Sequence, residues 1–398
     1  MRKIYIAGTG CCLLDYLYTG IDFKSPEFSR YLSEKEGDGG LSPGCLVFTD
    51  DLEKFSGRKF ENLLKEVIGD RLPDDINLGG PSIVALIHSA QLLGKKARVH
   101  FYGTIGNDPS GEKIKAIIKK TPVRIDNLKI ANLSSSTTNV LSDRAFQDGE
   151  GERTFIHNIG SSWEIYPDQL NKRFFKSDII VFGGTALVPN IHNDMDDLLK
   201  KAKDQNSITV VNTVYDFRSE KSNPGSRWQF VKNDESYRNI DILLMDMEEA
   251  LKISGTSEIE NAVIFFTDRG VSSFVITNGA SPVWRFSDGR LFKKQSVGQL
   301  PTSDSVRSEL KHNTGLAGDT TGCGDNLAGG VIASVAWQLE NTQPGKLDIN
   351  EACAWGIASG GFACFYIGGT YIEWNHGEKL NLVKPYYELY RKQIADLI

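Results

Sequence analysis

The stretch GDTTGCGDNLAGG, residues 318–330, sets acidic, hydroxyl and glycine residues directly ahead of an apolar run. Leu327, Val331, Val335 and Leu339 follow at intervals of four, one apolar stripe of a helix, so Asp325 falls in its first turn. The Gly322-Cys323-Gly324 bend would turn successive backbone N–H groups toward the positive end of that helix, an arrangement that binds anions. Asp325 has two uses there. It could cap the helix by accepting from a backbone N–H, or it could point into a cleft beside a held phosphate and act as a base. Gly322 and Gly324 together favour the second use, because a cap requires neither.

Other chemistries find less support. The six cysteines, at 11, 12, 45, 323, 353 and 364, form no Cys-x-x-Cys pair and have no histidine at zinc-ligand spacing. They read as small buried hydrophobes in a reducing compartment, with Cys323 set apart by its place in the glycine bend. The histidines, at 88, 100, 157, 192, 312 and 376, build no metal pattern, and no Gly-x-Ser-x-Gly elbow exists for them to serve. Gly8-Thr9-Gly10 suggests a dinucleotide loop, but Leu13 stands where the third glycine belongs.

Bulk charge narrows the partners. Lys and Arg number 45 against 51 Asp and Glu, a net charge of −6 with no basic block. That argues against nucleic acid or an anionic membrane and for a small-molecule ligand. The opening MRKIYIAGTG has too few apolar residues for a signal peptide or a spanning helix, so a soluble cytoplasmic protein is expected.

The elements that must position these residues alternate along the chain. Apolar runs KIYIAG (3–8), ARVHFYG (97–103), DIIVFGG (178–184), ITVVNT (208–213), DILLMD (241–246) and AVIFFT (262–267) read as strands. Helical periodicity covers 82–93, 194–204 and 248–254. This alternation predicts an α/β fold, a doubly wound, mostly parallel sheet flanked by helices. Two regions break the rhythm. Residues 17–78 are a long insertion, and 134–158 read as a β-hairpin around the turn-rich QDGEGE; together they suggest a small β-rich lid over one mouth of the sheet. Residues 297–318 read as polar loop. The whole, 1–398, is expected to be one domain, with the 17–78 insertion serving as lid or as a homodimer interface.

The motif DTTGCGD, residues 319–325, resembles the Asp-Thr-x-Gly-Ala-Gly-Asp signature of the ribokinase-like (PfkB-type) sugar and nucleoside kinases, with Cys323 at the alanine position. The resemblance implies ATP with Mg²⁺, an alcohol acceptor on a sugar, Asp325 as general base, and the 322–324 amides as the anion hole. It implies acceptor contacts from Asp15 and from Gly79-Gly80, although Val84 replaces the asparagine common four residues later. His157, in the hairpin, is a further candidate acceptor contact.

For the nucleotide, the resemblance points to Asp246 and Glu249 through an Asn-x-x-Glu-like motif, the glutamate reaching Mg²⁺ through water, and to Gly270 through a partial Thr-x-Gly-x-x-Gly. Asn212 is a strand-end candidate for the phosphates, and Gly368-Gly369 lie in the adenine-side region. Asp319 and Thr321 would belong to a loop that holds a monovalent cation such as K⁺, or else form a hydrogen-bonded turn. Gly106, Asp108 and Gly111 match a structural Gly-x-Asp-x-x-Gly turn. A nucleoside kinase of the same family and a non-catalytic sugar or nucleotide sensor stand as alternatives.

Overall fold

The computed structural model describes residues 3–35, 37–146, 151–313, 318 and 320–397. Nine strands form the larger sheet, in the order β14 (Gln295–Leu300), β13 (Val283–Ser287), β12 (Ser273–Thr277), β11 (Ile242–Asp246), β10 (Ile208–Asn212), β9 (Ile179–Gly183), β1 (Ile4–Gly10), β5 (Ala97–Gly106) and β6 (Arg124–Ala131). From β12 to β6 every pairing is parallel, and β13 and β14 add an antiparallel edge. Every residue of β9 and β10 is buried, as expected for apolar runs covered by helices on both faces.

The principal helices are α1 (Pro81–Leu93), α2 (Met247–Ser254), α3 (Ile259–Asp268), α4 (Cys323–Leu339), α5 (Ile349–Ala363) and α6 (Glu378–Gln393). Helix α1 is buried from Ser82 through Leu93, because the sheet covers one side and α4 and α6 the other. Small residues let the helices close up. A side chain at Gly329 would meet the Ala85 carbonyl of α1 at 2.7 Å, and one at Gly330 would meet the Trp355 carbonyl of α5 at 2.6 Å.

A second, smaller sheet runs β3 (Leu46–Phe48), β8 (Glu152–Asn158), β7 (Thr137–Asp143), β2 (Leu13–Thr19), β4 (Asp75–Gly79). The 17–78 segment therefore supplies strands to the same sheet as the 134–158 hairpin. Its outer face has its own apolar core, with Tyr18, Phe28, Leu52, Leu63, Leu141 and Ile156.

Two sequence expectations are corrected. AVIFFT belongs to helix α3, which buries Ala262, Val263, Phe265 and Phe266 on one face and leaves Ile264 54% exposed. A six-residue apolar run does not distinguish a strand from one face of a helix; the strand is the next apolar run, β12. The 297–318 stretch is also more than loop: Gln295–Leu300 is edge strand β14, and Asp304–His312 is a helix capped by Ser303 and burying Val306 alone. An antiparallel edge strand with one solvated face tolerates that polarity.

Gly329→Val should force α1 and α4 apart and lower the unfolding free energy by roughly 1–3 kcal/mol, the range for an overpacked core. The urea midpoint reads it, and an unchanged midpoint would show that the helix pair yields freely.

Candidate functional site

The strand order reverses at β1, which lies between β9 and β5, and the carboxyl ends of β1, β9 and β10 lie side by side at Gly10, Gly183 and Asn212. Open α/β sheets bind ligands at such a place. Helix α4 begins there. Its N-cap is Gly322 at φ +75°, in left-handed backbone, and a side chain on it would lie 2.5 Å from the Gly369 Cα. The glycine is thus required twice, by conformation and by close approach. Asp325 sits in the first turn of α4, three residues beyond the Gly322 N-cap, so it is not itself the cap residue.

The Asp325 carboxylate accepts from Asn212 Nδ2 at 3.0 Å, from the end of β10. Asn212, expected near the phosphates, is therefore placed against this carboxylate. Burial pushes the Asp325 carboxyl from its ordinary 3.8 up to about 6, and the Asn212 bond works in the opposite direction. Cys11, at the end of β1, senses both Asp15 and Asp325: burial first, then Cys12 and these two carboxylates, hold its thiol well above the ordinary range.

The glycine pair has a packing role beside Asp15. A side chain at Gly79 would strike Asp15 Oδ2, and one at Gly80, held at φ +106°, would strike the Cys11 carbonyl at 2.5 Å. Strand register then aligns Asn77, Asp15, Thr138, His157 and Phe48 across all five strands of the smaller sheet, so their side chains share one face. That face looks onto the glycine bend. Asp15, Leu17, Asn77, Val140 and Phe155 line a cavity of about 40 Å³ with Thr321 and Gly368.

At the other end of the row, His157 lines a wider cavity of about 410 Å³ with Phe48, Asn158, Trp163 and Arg218. His157 is 1% exposed; Nδ1 bonds Thr138 Oγ1 at 3.0 Å, while Nε2 has no partner among the described residues. Burial lowers its pKa to about 4, so the ring is neutral.

Asp246 and Glu249 form a capping box at the start of α2: the Glu249 amide donates to Asp246 Oδ1 at 2.8 Å, and the Asp246 amide to Glu249 Oε2 at 3.0 Å. Thr213 Oγ1 donates to the same Glu249 oxygen at 2.5 Å. Burial raises the Glu249 carboxyl well above its ordinary value, and Asp246 and Asp325 add to the rise. The charges of Asp246 and Asp325 thus both disfavour ionisation of Glu249, and a nearby cation would relieve that. Among the described residues no group of three or more His, Cys, Asp or Glu could itself hold a metal ion.

Gly270 is a correction. It lies before β12, at the end of the sheet opposite Asp246, and so away from the carboxyl strand ends. Thr277, paired in register with Asp246, ends β12 on the Asp246 side, and Thr277-Asn278-Gly279 carries a Thr-x-Gly there. The displacement follows from reading AVIFFT as the strand, which shifts the loop by one element. Asp319 lies outside the described residues.

The sequence reading missed Arg153. From β8 it donates to Thr321 Oγ1 at 2.6 Å and Thr320 Oγ1 at 3.4 Å, tying the smaller sheet to the glycine bend. Its period-two relation to Phe155 and His157 was the available signal. Cys323 also has a neighbour, Cys364, with the sulfurs 3.4 Å apart.

Comparison with known proteins adds three observations. Residues 79–375 match the family model of pfkB family carbohydrate kinases. A fructokinase from Vibrio alginolyticus is 25% identical over 260 residues, 65% of this chain and 76% of that protein. Solved structures share the fold: adenosine kinase from Sinorhizobium meliloti (TM-score 0.70, 17% identity, 96% of this chain and 99% of that one) and a probable sugar kinase from Rhizobium etli CFN 42 (0.68, 15%, 100% of both). A third, adenosine kinase from Schistosoma mansoni in complex with 2-fluoroadenosine, has TM-score 0.67 and 16% identity over 93% of this chain and 98% of that one.

The Asp325 shift carries a stability prediction. The folded chain holds this proton more tightly than the unfolded chain does. The resulting stability is fully present below about pH 4 and is lost as pH rises through about 6. Asp325→Asn, which cannot ionise, should therefore melt above the parent at pH 8, with the gap closing toward pH 4. Equal gaps at both pH values would contradict the shift.

Proposed function

This chain belongs to the pfkB family of carbohydrate kinases, and on that footing we propose that it transfers the γ-phosphoryl group of ATP to a hydroxyl of a small sugar or sugar-like acceptor. The observation that carries the reading is the Asp325 carboxylate, half-buried, fixed by Asn212 and set in the first turn of a helix that opens with Gly322-Cys323-Gly324. Phosphoryl transfer is catalysed by positioning and by neutralising charge, and this corner offers both.

In the proposed reaction Asp15 holds acceptor hydroxyls, with Gly79 and Gly80 leaving room for them. Asp325 takes the proton of the attacking hydroxyl. The acceptor oxygen bonds to the γ-phosphorus, the bond to the β-phosphate bridging oxygen breaks, and ADP leaves. Amides of residues 322–324 face the charge on the migrating group. Arg153 brings a lid guanidinium to the same loop. ATP lies along the ends of β10, β11 and β12, by Asp246, Glu249 and Thr277-Asn278-Gly279. Asp246 and Glu249 would hold Mg²⁺ through its waters, and the ion would supply neutralisation of the phosphate charge. Closure of the smaller sheet excludes water that would otherwise accept the phosphoryl group. Among the described residues no helix is long and apolar enough to cross a membrane, and a cytoplasmic site of action is part of the proposal.

A second reading, a nucleoside acceptor, draws on the cavity of about 410 Å³ flanked by the rings of Phe48 and Trp163. It is large enough for a flat second ring beyond the sugar. An ADP-release panel of free sugars against adenosine, guanosine and inosine separates the two, and ATP binding with no acceptor-dependent ADP release would favour a sensor instead.

Asp325→Asn should retain ATP binding by calorimetry and lose at least about 100-fold in kcat, the scale of general-base catalysis. Parent kcat/KM should rise with pH through about 6 as Asp325 ionises. Undiminished turnover in the variant overturns the mechanism.

A further inference from the structure

Lys379, on α6, is 0% exposed. A fully buried lysine is rare unless its amine is engaged. Here Nζ lies 4.6 Å from the ring centroid of Tyr366, 4.8 Å from that of Tyr371 and 5.2 Å from that of Phe362. It donates to Tyr366 Oη at 3.0 Å and to Asn326 Oδ1 at 3.4 Å. His88 of α1 is close enough to feel its charge, and the Glu373 carboxylate accepts from the Lys379 backbone amide at 2.8 Å.

Asn326 follows Asp325 directly. Its Nδ2 gives one hydrogen to the Gly322 carbonyl at 2.8 Å and the other to the Gly369 carbonyl at 2.9 Å. Its Oδ1 accepts from Tyr366 Oη at 3.1 Å as well as from Lys379. Both donors and both acceptor positions of the amide are thus occupied. Rotating it by half a turn would set Nδ2 against two donors and Oδ1 against two carbonyls. Lys379 and Tyr366 therefore dictate which way Asn326 faces, and Asn326 in that orientation clasps the two glycine backbones on either side of the bend.

We propose that Lys379 is a positioning residue for phosphoryl transfer: by orienting Asn326 it fixes the Gly322 carbonyl, and with it the direction of the amides that open α4. The inference rests on the kinase reading. An amine donates in either protonation state, so the clamp does not depend on its charge.

Lys379→Met keeps the bulk and removes the donor. It should lower kcat on the order of 10- to 100-fold, as a misplacement near 1 Å does, with KM for ATP and for the acceptor within about twofold. In an Asn326→Leu background the same substitution should cost nothing further, because the clasp is already gone. Tyr366→Phe removes the other donor to Oδ1 and should shift kcat in the same direction, which serves if Lys379→Met does not fold. A lowered melting temperature with parental kcat, or additive losses in the double variant, overturns the proposal. Full turnover in Asp325→Asn would instead overturn the kinase reading, so the two failures are distinct.

Discussion

Two glycine backbones meet where α4 begins, and much of the architecture serves that contact. Gly322 and Gly369 approach so closely that neither the conformation nor the space at Gly322 admits a side chain. Val84 packs behind Gly369, where a side chain would stand 3.1 Å from Val84 Cγ2. The position that departs from the family's asparagine is thus filled with a hydrophobe that supports the bend. Helices α1, α4, α5 and α6 bundle around the same point, and Asn326 joins the two glycine carbonyls.

The electrostatics follow from the same corner. Asp325 and Glu249 are carboxyls whose proton affinities burial has raised, and each is held by a neutral donor, Asn212 or Thr213. Neutral donors orient a carboxylate without cancelling its basicity as a salt bridge would. Positive character enters instead through helix-terminal amides and through Arg153, which arrives from the other sheet. In the proposed reaction acceptor-side and phosphate-side chemistry would be carried by different layers, and the Arg153–Thr321 contact joins those layers.

Much of this was legible in sequence because it is local. The four-residue spacing after Asp325 places it in the first turn of a helix, and buried parallel strands announce themselves as unbroken apolar runs. Reading failed where one pattern has two solutions. AVIFFT satisfies a strand and a helix face alike, and that ambiguity carried Gly270 to the wrong edge of the sheet. It also failed where partners are remote. Nothing near Asn326 signals Lys379, 53 residues on, and a buried lysine reads in sequence as a surface one. The row from Asn77 to Phe48 exists only through the register of five strands drawn from four separate stretches.

The burial of α1 on nearly every side has a consequence for biogenesis. The strands of both flanks of β1 through β9 leave the ribosome before residue 184, yet the helices that cover α1, namely α4 and α6, begin only at Cys323 and Glu378. During synthesis Val84, Ala85 and His88, which meet Gly369 and Gly329 in the finished fold, stay uncovered until those later segments emerge, a long-range pairing of the kind that slows folding and invites aggregation. Until α4 and α6 emerge, the nascent chain carries one face of α1 without its cover.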